Sequence, residues 1–301
     1  MKTVLCINEQ TKTILDELND VDLVSYVELK NWYANNAFTT LSIRYVLEGS
    51  AYFMVDGVGH SIQSNHFIVA AKQPAVECTI KGNDVTKSLW INISGASLSD
   101  AYQAFKAEAR NEINEFSTAH FDYPYFLDSV YHGNQNLLGQ KLFSLSESLR
   151  RSVPKHSIVD DDWFFDVVML VIRYQFRHFQ WLSNLQALKA STRKEILRRL
   201  LYGKSFIDEC FLTNPDIKSV ARLSNMSEFH FFRSFKQAFG CSPYQYLLTK
   251  RLDYARKFLQ KKEAPVSEIA NQCGFPDIFT FSKAFKRKFG HSPSKTATIH
   301  A

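Results

Sequence analysis

Two stretches of this chain nearly superimpose at an interval of 50 residues, and that repeat constrains the fold more than any other feature. Residues 231–243 read F-F-R-S-F-K-Q-A-F-G-C-S-P and residues 281–293 read F-S-K-A-F-K-R-K-F-G-H-S-P. Phe231, Phe235 and Phe239 fall at i, i+4 and i+8, as do Phe281, Phe285 and Phe289. At about 3.6 residues per turn each set makes one aromatic stripe along a helix, facing a core. Gly240 and Gly290 are placed to stop those helices in the left-handed conformation. Ser242-Pro243 and Ser292-Pro293 then read as an N-cap followed by proline at the first helical position.

Upstream of each stripe lies a shorter helix and a turn. Ile217, Val220 and Ala221 give the first unit its small apolar face, and Ser227 caps the striped helix after the turn. Val266, Ile269 and Ala270 do the same in the second, with Asp277 as the cap. Ala221 and Ala270 are 49 residues apart, so the second turn carries one extra residue. A short helix, a tight turn and a capped helix with a packed inner face form a helix-turn-helix, whose second helix enters the major groove of DNA.

The charge supports that use. From residue 191 onward, 20 Lys and Arg oppose 9 Asp and Glu, whereas the first 190 residues hold 16 bases and 21 acids. A basic module of charge +11 joined to one of −5 points to a polyanionic partner for the carboxy-terminal part. The outward faces of the repeated helices carry Phe229, His230, Arg233, Lys236 and Gln237 in the first, and Phe279, Thr280, Lys283, Lys286 and Arg287 in the second. Arg233 and Lys283 are equivalent in the repeat. Arginine pairing with guanine is the commonest specific base contact, and Lys236, Lys286, Arg287 and Lys288 suit phosphates. Any one of these bases, alone, is an ordinary solvated residue; the set on two repeated units favours DNA. Between the units, residues 243–261 read as one helix of about 27 Å. That length suits two recognition helices about one DNA turn, roughly 34 Å, apart. Lys250, Arg251, Arg256 and Lys257 are expected on its solvent side. Thr192 and Glu195 read as a capping box that opens a helix ahead of the first unit.

Residues 192–294 resemble the DNA-binding domain of the AraC/XylS family of bacterial transcription regulators, through I-A-N-Q-C-G-F at 269–275 and the stretch 281–293. The resemblance implies base-reading positions at Phe229, Phe232 and Arg233 and at Ile278, Phe279 and Lys283. Polar residues often occupy the family positions held here by Phe232, Ile278 and Phe279. Apolar side chains can meet thymine methyl groups but cannot read donors and acceptors. The first helix is therefore expected to carry most of the direct readout.

The amino-terminal residues, to about 95, read as short strands separated by turn residues, with Glu48-Gly49 and Asp56-Gly57 as hairpin turns. They suggest an antiparallel barrel or roll and loosely resemble the cupin-like sensor domain common in the same family. Arg44, Tyr52 and Trp90 are candidates to line a small-molecule pocket, with core packing or surface exposure as the alternative for each. His60, His66 and Glu77 lie near one another, but without an H-x-H spacing no metal site is expected. Residues 97–190 read as largely helical. Residues 162–188, rich in aromatic and aliphatic side chains, form either a core helix or a dimer face.

The expected architecture is thus α+β in two domains. Residues 1–190 form a cupin-like β-barrel or roll with helices, for sensing and dimerisation, and residues 191–301 an all-α double helix-turn-helix. The expected partners are double-stranded promoter DNA and a second copy of the chain, with a small-molecule effector and RNA polymerase as further candidates. Activation is what the resemblance implies. The longest apolar run is too short to span a membrane, and the five cysteines form no C-x-x-C pair. A cytoplasmic, reduced protein without catalytic residues, metal or cofactor is expected. The rival readings are an enzyme with an appended helix-turn-helix and a protein-interaction adaptor that no longer reads DNA.

Overall fold

A computed structural model describes residues 2–16, 20–35, 40–55, 57–70, 76–112, 127–133, 136–151, 158–186, 189–261 and 264–298. The chain divides into two compact units, Met1–Gln180 and Trp181–Ala301.

In the first unit the strands are β1 (Lys2–Asn8), β2 (Leu23–Asn35), β3 (Leu41–Glu48), β4 (Ser50–Val55), β5 (Val58–Gln63), β6 (His66–Ala70) and β7 (Val76–Ile93). The helices are α1 (Gly95–Glu112), α2 (Leu137–Arg151) and α3 (Asp161–Asn184). Two short strands, β8 (Ser129–His132) and β9 (Ile158–Val159), lie between them. The sheet runs β8-β6-β3-β7-β2-β1-β9, with the β4–β5 hairpin attached to the first part of β7. The long β7 bends the sheet into a roll: residues 87–93 pair with β3, whereas residues 76–79 pair with β4. One pair departs from the antiparallel expectation, since β1 runs parallel to β2. In the β4–β5 hairpin Val55 pairs with Val58; Asp56 of its turn lies outside the described residues.

Two cores result from the alternation of side chains along the strands. Val27, Leu29, Phe53, Ile62, Ile68 and Trp90 meet inside the roll, in a core built from strands alone. On the opposite face Ile43, Tyr45, Phe67 and Ile91 are covered by residues of all three helices, including Phe105, Leu142 and Phe176. Helix α3 is a core helix of this unit: Phe164, Val167, Val168, Ile172 and Phe176 are buried, and Phe165 is among its few exposed apolar residues. The stretch read as helical also returns to the sheet, because β8 pairs with β6 and β9 with β1.

The second unit is helical: α4 (Ala190–Cys210), a 3-10 turn (Phe211–Thr213), α5 (Ile217–Leu223), α6 (Glu228–Phe239), α7 (Pro243–Lys261), α8 (Val266–Gln272), α9 (Ile278–Phe289) and α10 (Pro293–Thr298). The last residues of α3, from Trp181, belong to this unit: Trp181 packs its ring against Phe239 at 4.9 Å, and Asn184 Nδ2 donates to Ala238 O at 3.2 Å. The capping box expected at Thr192 and Glu195 is not formed. The chain enters α4 at Ala190, after an extended Lys189 that makes no side-chain cap. Thr192 is therefore already helical, and Glu195 instead accepts from Arg198 and Arg199. A capping box does open α7: Ser242 Oγ accepts from Gln245 N–H, and Gln245 Oε1 accepts from Ser242 N–H.

Candidate nucleic-acid interface

Helices α5 and α6, and α8 and α9, form two helix-turn-helix units of closely matching construction. Asp216 caps α5 by accepting from Lys218 and Ser219 N–H, and Ser227 caps α6 by accepting from His230 N–H. Asp277 caps α9, its carboxylate accepting from Thr280 N–H at 2.6 Å and Thr280 Oγ1 at 3.1 Å. The Thr280 backbone N–H holds the Asp277 carboxyl below the usual carboxylate range, and the Ser219 hydroxyl does the same for Asp216. Both caps thus stay ionised at helix N-termini, where the backbone dipole favours negative charge.

The turns share one backbone device. Asn225 (φ 51°) and Gly274 (φ 72°) stand in the left-handed region. Met226 N–H bonds Ala221 O and Asn225 N–H bonds Arg222 O, as Phe275 N–H bonds Ala270 O and Gly274 N–H bonds Asn271 O. These are matching Schellman motifs, which satisfy the last carbonyls of α5 and α8. The extra residue of the second unit is Pro276, inserted after that motif. Gly240 (φ 75°) and Gly290 (φ 81°) then end α6 and α9.

The inner faces repeat as closely. Phe231, Phe235, Phe281 and Phe285 are all 0% exposed. Ring centroids stand 5.4 and 4.5 Å apart along Phe231–Phe235–Phe239, and 5.5 and 4.5 Å along Phe281–Phe285–Phe289. With these stripes buried, the capped helices leave Phe229, Arg233 and Lys236 exposed on α6, and Phe279, Thr280, Lys283, Lys286 and Arg287 exposed on α9. Phe232 is half-buried against the Tyr244 ring at 5.4 Å. The Thr280 hydroxyl serves the Asp277 cap. Ile278 is only just exposed, whereas Phe279 is 83% exposed. Lys288, read from its outward position as a phosphate ligand, pairs with Asp253 at 2.6 Å and donates to Thr249 O.

Helix α7 corrects one expectation. Arg251, expected on its solvent side, is buried, because backbone and amide oxygens from two other segments capture its guanidinium. Nε donates to Phe211 O, Nη1 to Gly274 O and Nη2 to Asn214 Oδ1. Lys250 is also engaged, at 2.9 Å from Asp208, which receives Lys204 and the Tyr246 hydroxyl as well. Arg256 and Lys257 are exposed as expected. Beside His230, a groove of about 440 Å³ is lined by Ser191, Thr192, Glu195, Ile196, Arg199 and Met226.

In the first unit Arg44 and Trp90 lie together. Arg44 is buried, stands 4.7 Å over the Trp90 ring, and donates to Ile43 O, Ile91 O and Asn92 Oδ1. Burial pushes its guanidinium down to about 9. Tyr52 is on the other side of the strand: it alternates with buried Ala51 and Phe53 and is 42% exposed. His66 faces His132 across β6 and β8, with ring centroids 4.8 Å apart, and Glu77 is exposed. Among the described residues no three His, Cys, Asp or Glu side chains group as a metal site, and no helix is long and apolar enough to cross a membrane. Cys78, Cys210, Cys241 and Cys273 are free thiols.

Residues 220–298 match the family described as a helix-turn-helix domain. Over 80 residues, 26% of its length, the chain is 40% identical to the probable transcriptional regulator LumQ of Photobacterium leiognathi, covering 32% of that protein. It is 33% identical over 121 residues, 39% of its length, to the HTH-type transcriptional activator RhaS of Escherichia coli O139:H28, covering 44% of it. The chain therefore spans less than half the length of these two relatives. Among solved structures, the C-terminal domain of AraT, a response regulator from Geobacillus stearothermophilus, is similar at 30% identity and a TM-score of 0.32. That match covers 33% of this chain and 84% of the AraT chain.

Proposed function

We propose that this chain, whose carboxy-terminal part is an AraC/XylS-type helix-turn-helix domain, is a sequence-specific DNA-binding transcription regulator. The carrying observation is the duplicated unit: two capped helices, each fixed by a buried phenylalanine stripe, turn basic side chains to solvent. Arg233 and Lys283 reach base edges, while Lys236, Lys286 and Arg287 hold phosphates and set register. Residues 191–301 bind the promoter, and residues 1–190 sense a signal and dimerise. The protein acts as an activator in the cytoplasm, through RNA polymerase, rather than as an enzyme. RhaS is named an activator, which favours that sign of regulation. The effector, a small molecule, binds at the roll around Arg44 and Trp90, with Tyr52 contributing only from the outer face.

The test is enrichment of bound duplexes from a random pool by the full-length protein. A recovered motif whose affinity falls steeply with salt supports the reading, because phosphate contacts release counterions. Salt-sensitive binding with no motif would favour a non-specific polyanion binder, and no binding at all would favour the adaptor reading.

A further inference from the structure

The two helix-turn-helix units match inside but are held differently where their recognition helices end. Phe239 and Phe289 stand at equivalent positions, each the last residue of its helix and the last ring of its stripe. In the second unit the Phe289 ring is faced by Arg256 of α7 at 5.0 Å and by Lys288 of its own helix at 5.1 Å. In the first unit the partners come from ahead of α4. Trp181 meets the Phe239 ring edge to face at 4.9 Å, and Asn184 Nδ2 donates to Ala238 O at 3.2 Å. Gln237 Nε2 donates to Gln186 Oε1 at 3.1 Å. Gln237, Ala238 and Phe239, consecutive in the last turn of α6, are thus all held by residues 181–186.

The last four carbonyls of a helix have no partner within it. Ala238 is buried, so the Asn184 amide supplies its carbonyl with a bond that water does not. Leu182 and Leu185, both buried, anchor the stretch between these contacts. Phe239 lies 4.5 Å from Phe235, which joins the Trp181 contact to the closely packed stripe behind Arg233 and Lys236. A packed core transmits displacement, so a shift at Phe239 turns the whole outer face of α6. Residues 181–184 are the end of α3, whose earlier residues from Phe164 to Phe176 are core residues of the first unit.

We infer that Trp181 and Asn184 are positioning residues for the first recognition helix alone. They fix the angle at which α6 presents Arg233, while α9 is set by residues of the repeat. The DNA-reading unit therefore extends back to Trp181, and only the part of the site read by α6 depends on the end of α3. This rests on the DNA-reading function proposed above and adds what holds one of its two readers in place.

The test compares full-length parent, Trp181→Ala, Trp181→Phe and Asn184→Ala on the duplex that the parent enriches, and on two duplexes with one half scrambled. The half read by α6 is the one whose preference Arg233→Ala erodes. Trp181→Ala should bind the intact duplex about tenfold more weakly, within the range of one base contact. Its salt slope should equal that of the parent, because no phosphate contact is removed. The deficit should disappear when the α6 half is scrambled and persist when the other half is. Trp181→Phe keeps a ring against Phe239 and should restore most of the affinity. Asn184 is exposed, so Asn184→Ala should melt close to the parent and repeat the pattern on a smaller scale. An equal deficit on all three duplexes would mark a general loss of folding and overturn the inference, as would a deficit confined to the α9 half. Parental affinity in both alanine variants would overturn it too, with DNA reading left standing. Failure to enrich any motif would overturn the DNA-reading function, and this inference with it.

Discussion

Arg251 Nη1 donates to Gly274 O at 3.2 Å, and that contact joins the inter-unit helix to the turn of the second helix-turn-helix. The same guanidinium reaches Phe211 O and Asn214 Oδ1, ahead of the first unit. Gly274 has φ 72°, and a Cβ there would lie 2.9 Å from Arg251 Cζ. Gly274→Ala therefore meets both a left-handed backbone and a clash, and should lose about 2 kcal/mol or more in urea unfolding. Arg251→Met withdraws three donor groups from these oxygens and should lose about 3 kcal/mol. Equal stability of either variant to the parent would contradict this role.

Gly203, in the middle of α4, sets two effects against each other. Alanine normally favours a helix interior by about 1 kcal/mol over glycine. Here its Cβ would fall 2.7 Å from the Phe231 ring and 2.5 Å from Ser224 Oγ. Phe231 is fully buried and has no room to retreat, so Gly203→Ala should destabilise by about 1–3 kcal/mol. A stabilised variant would show that the α4 contact with the first helix-turn-helix yields more readily than its packing implies.

The two kinds of basic residue should separate in binding assays. Arg233→Ala should cost about 1–3 kcal/mol of specific affinity and relax preference at one base position. Lys236→Ala should weaken binding to all sequences alike and reduce the salt slope by about one. Exchange of these two signatures would reverse the assigned roles.

Asp208 supplies a pH dependence. Burial raises its carboxyl, but the Lys204 charge and the bonds from Tyr246 and Lys250 outweigh burial and hold it below the usual range. A depressed carboxyl contributes stability that is present above its unfolded value, about 3.9, and is lost as pH falls through the folded one. Asp208→Asn should therefore cost about 2 kcal/mol at neutral pH and flatten the acid limb of the stability profile. An acid limb identical to that of the parent would exclude the group.

The repeat, the ends of the two recognition helices and the phenylalanine cores were legible because they depend on residues only a few positions apart; the start of α4 was not, since the expected cap at Thr192 is already helical. The left-handed turn at Asn225 had a weak signal, asparagine being the usual alternative to glycine there. Arg251 had none: its partners lie 23, 37 and 40 residues away, and a lone arginine in a basic helix resembles its solvated neighbours. In the first unit β3, β4, β6 and the last part of β7, from Ser88, showed as apolar runs, whereas β8 and β9, four and two residues long, are too short to display a period of two. Arg44 and Trp90 stand out in the sequence without any sign that they face each other, because cross-strand register decides that. The same alternation puts Tyr52 on the other face of its strand.

The central claim is that each helix-turn-helix reads its own part of the DNA. Parallel enrichment from one random pool by the full-length protein, its Arg233→Ala variant and its Lys283→Ala variant tests it most directly. The parent should yield a motif of two parts about one helical turn apart. Arg233→Ala should erode one part and Lys283→Ala the other. One motif shared unchanged by all three proteins, or no motif from any of them, would contradict it.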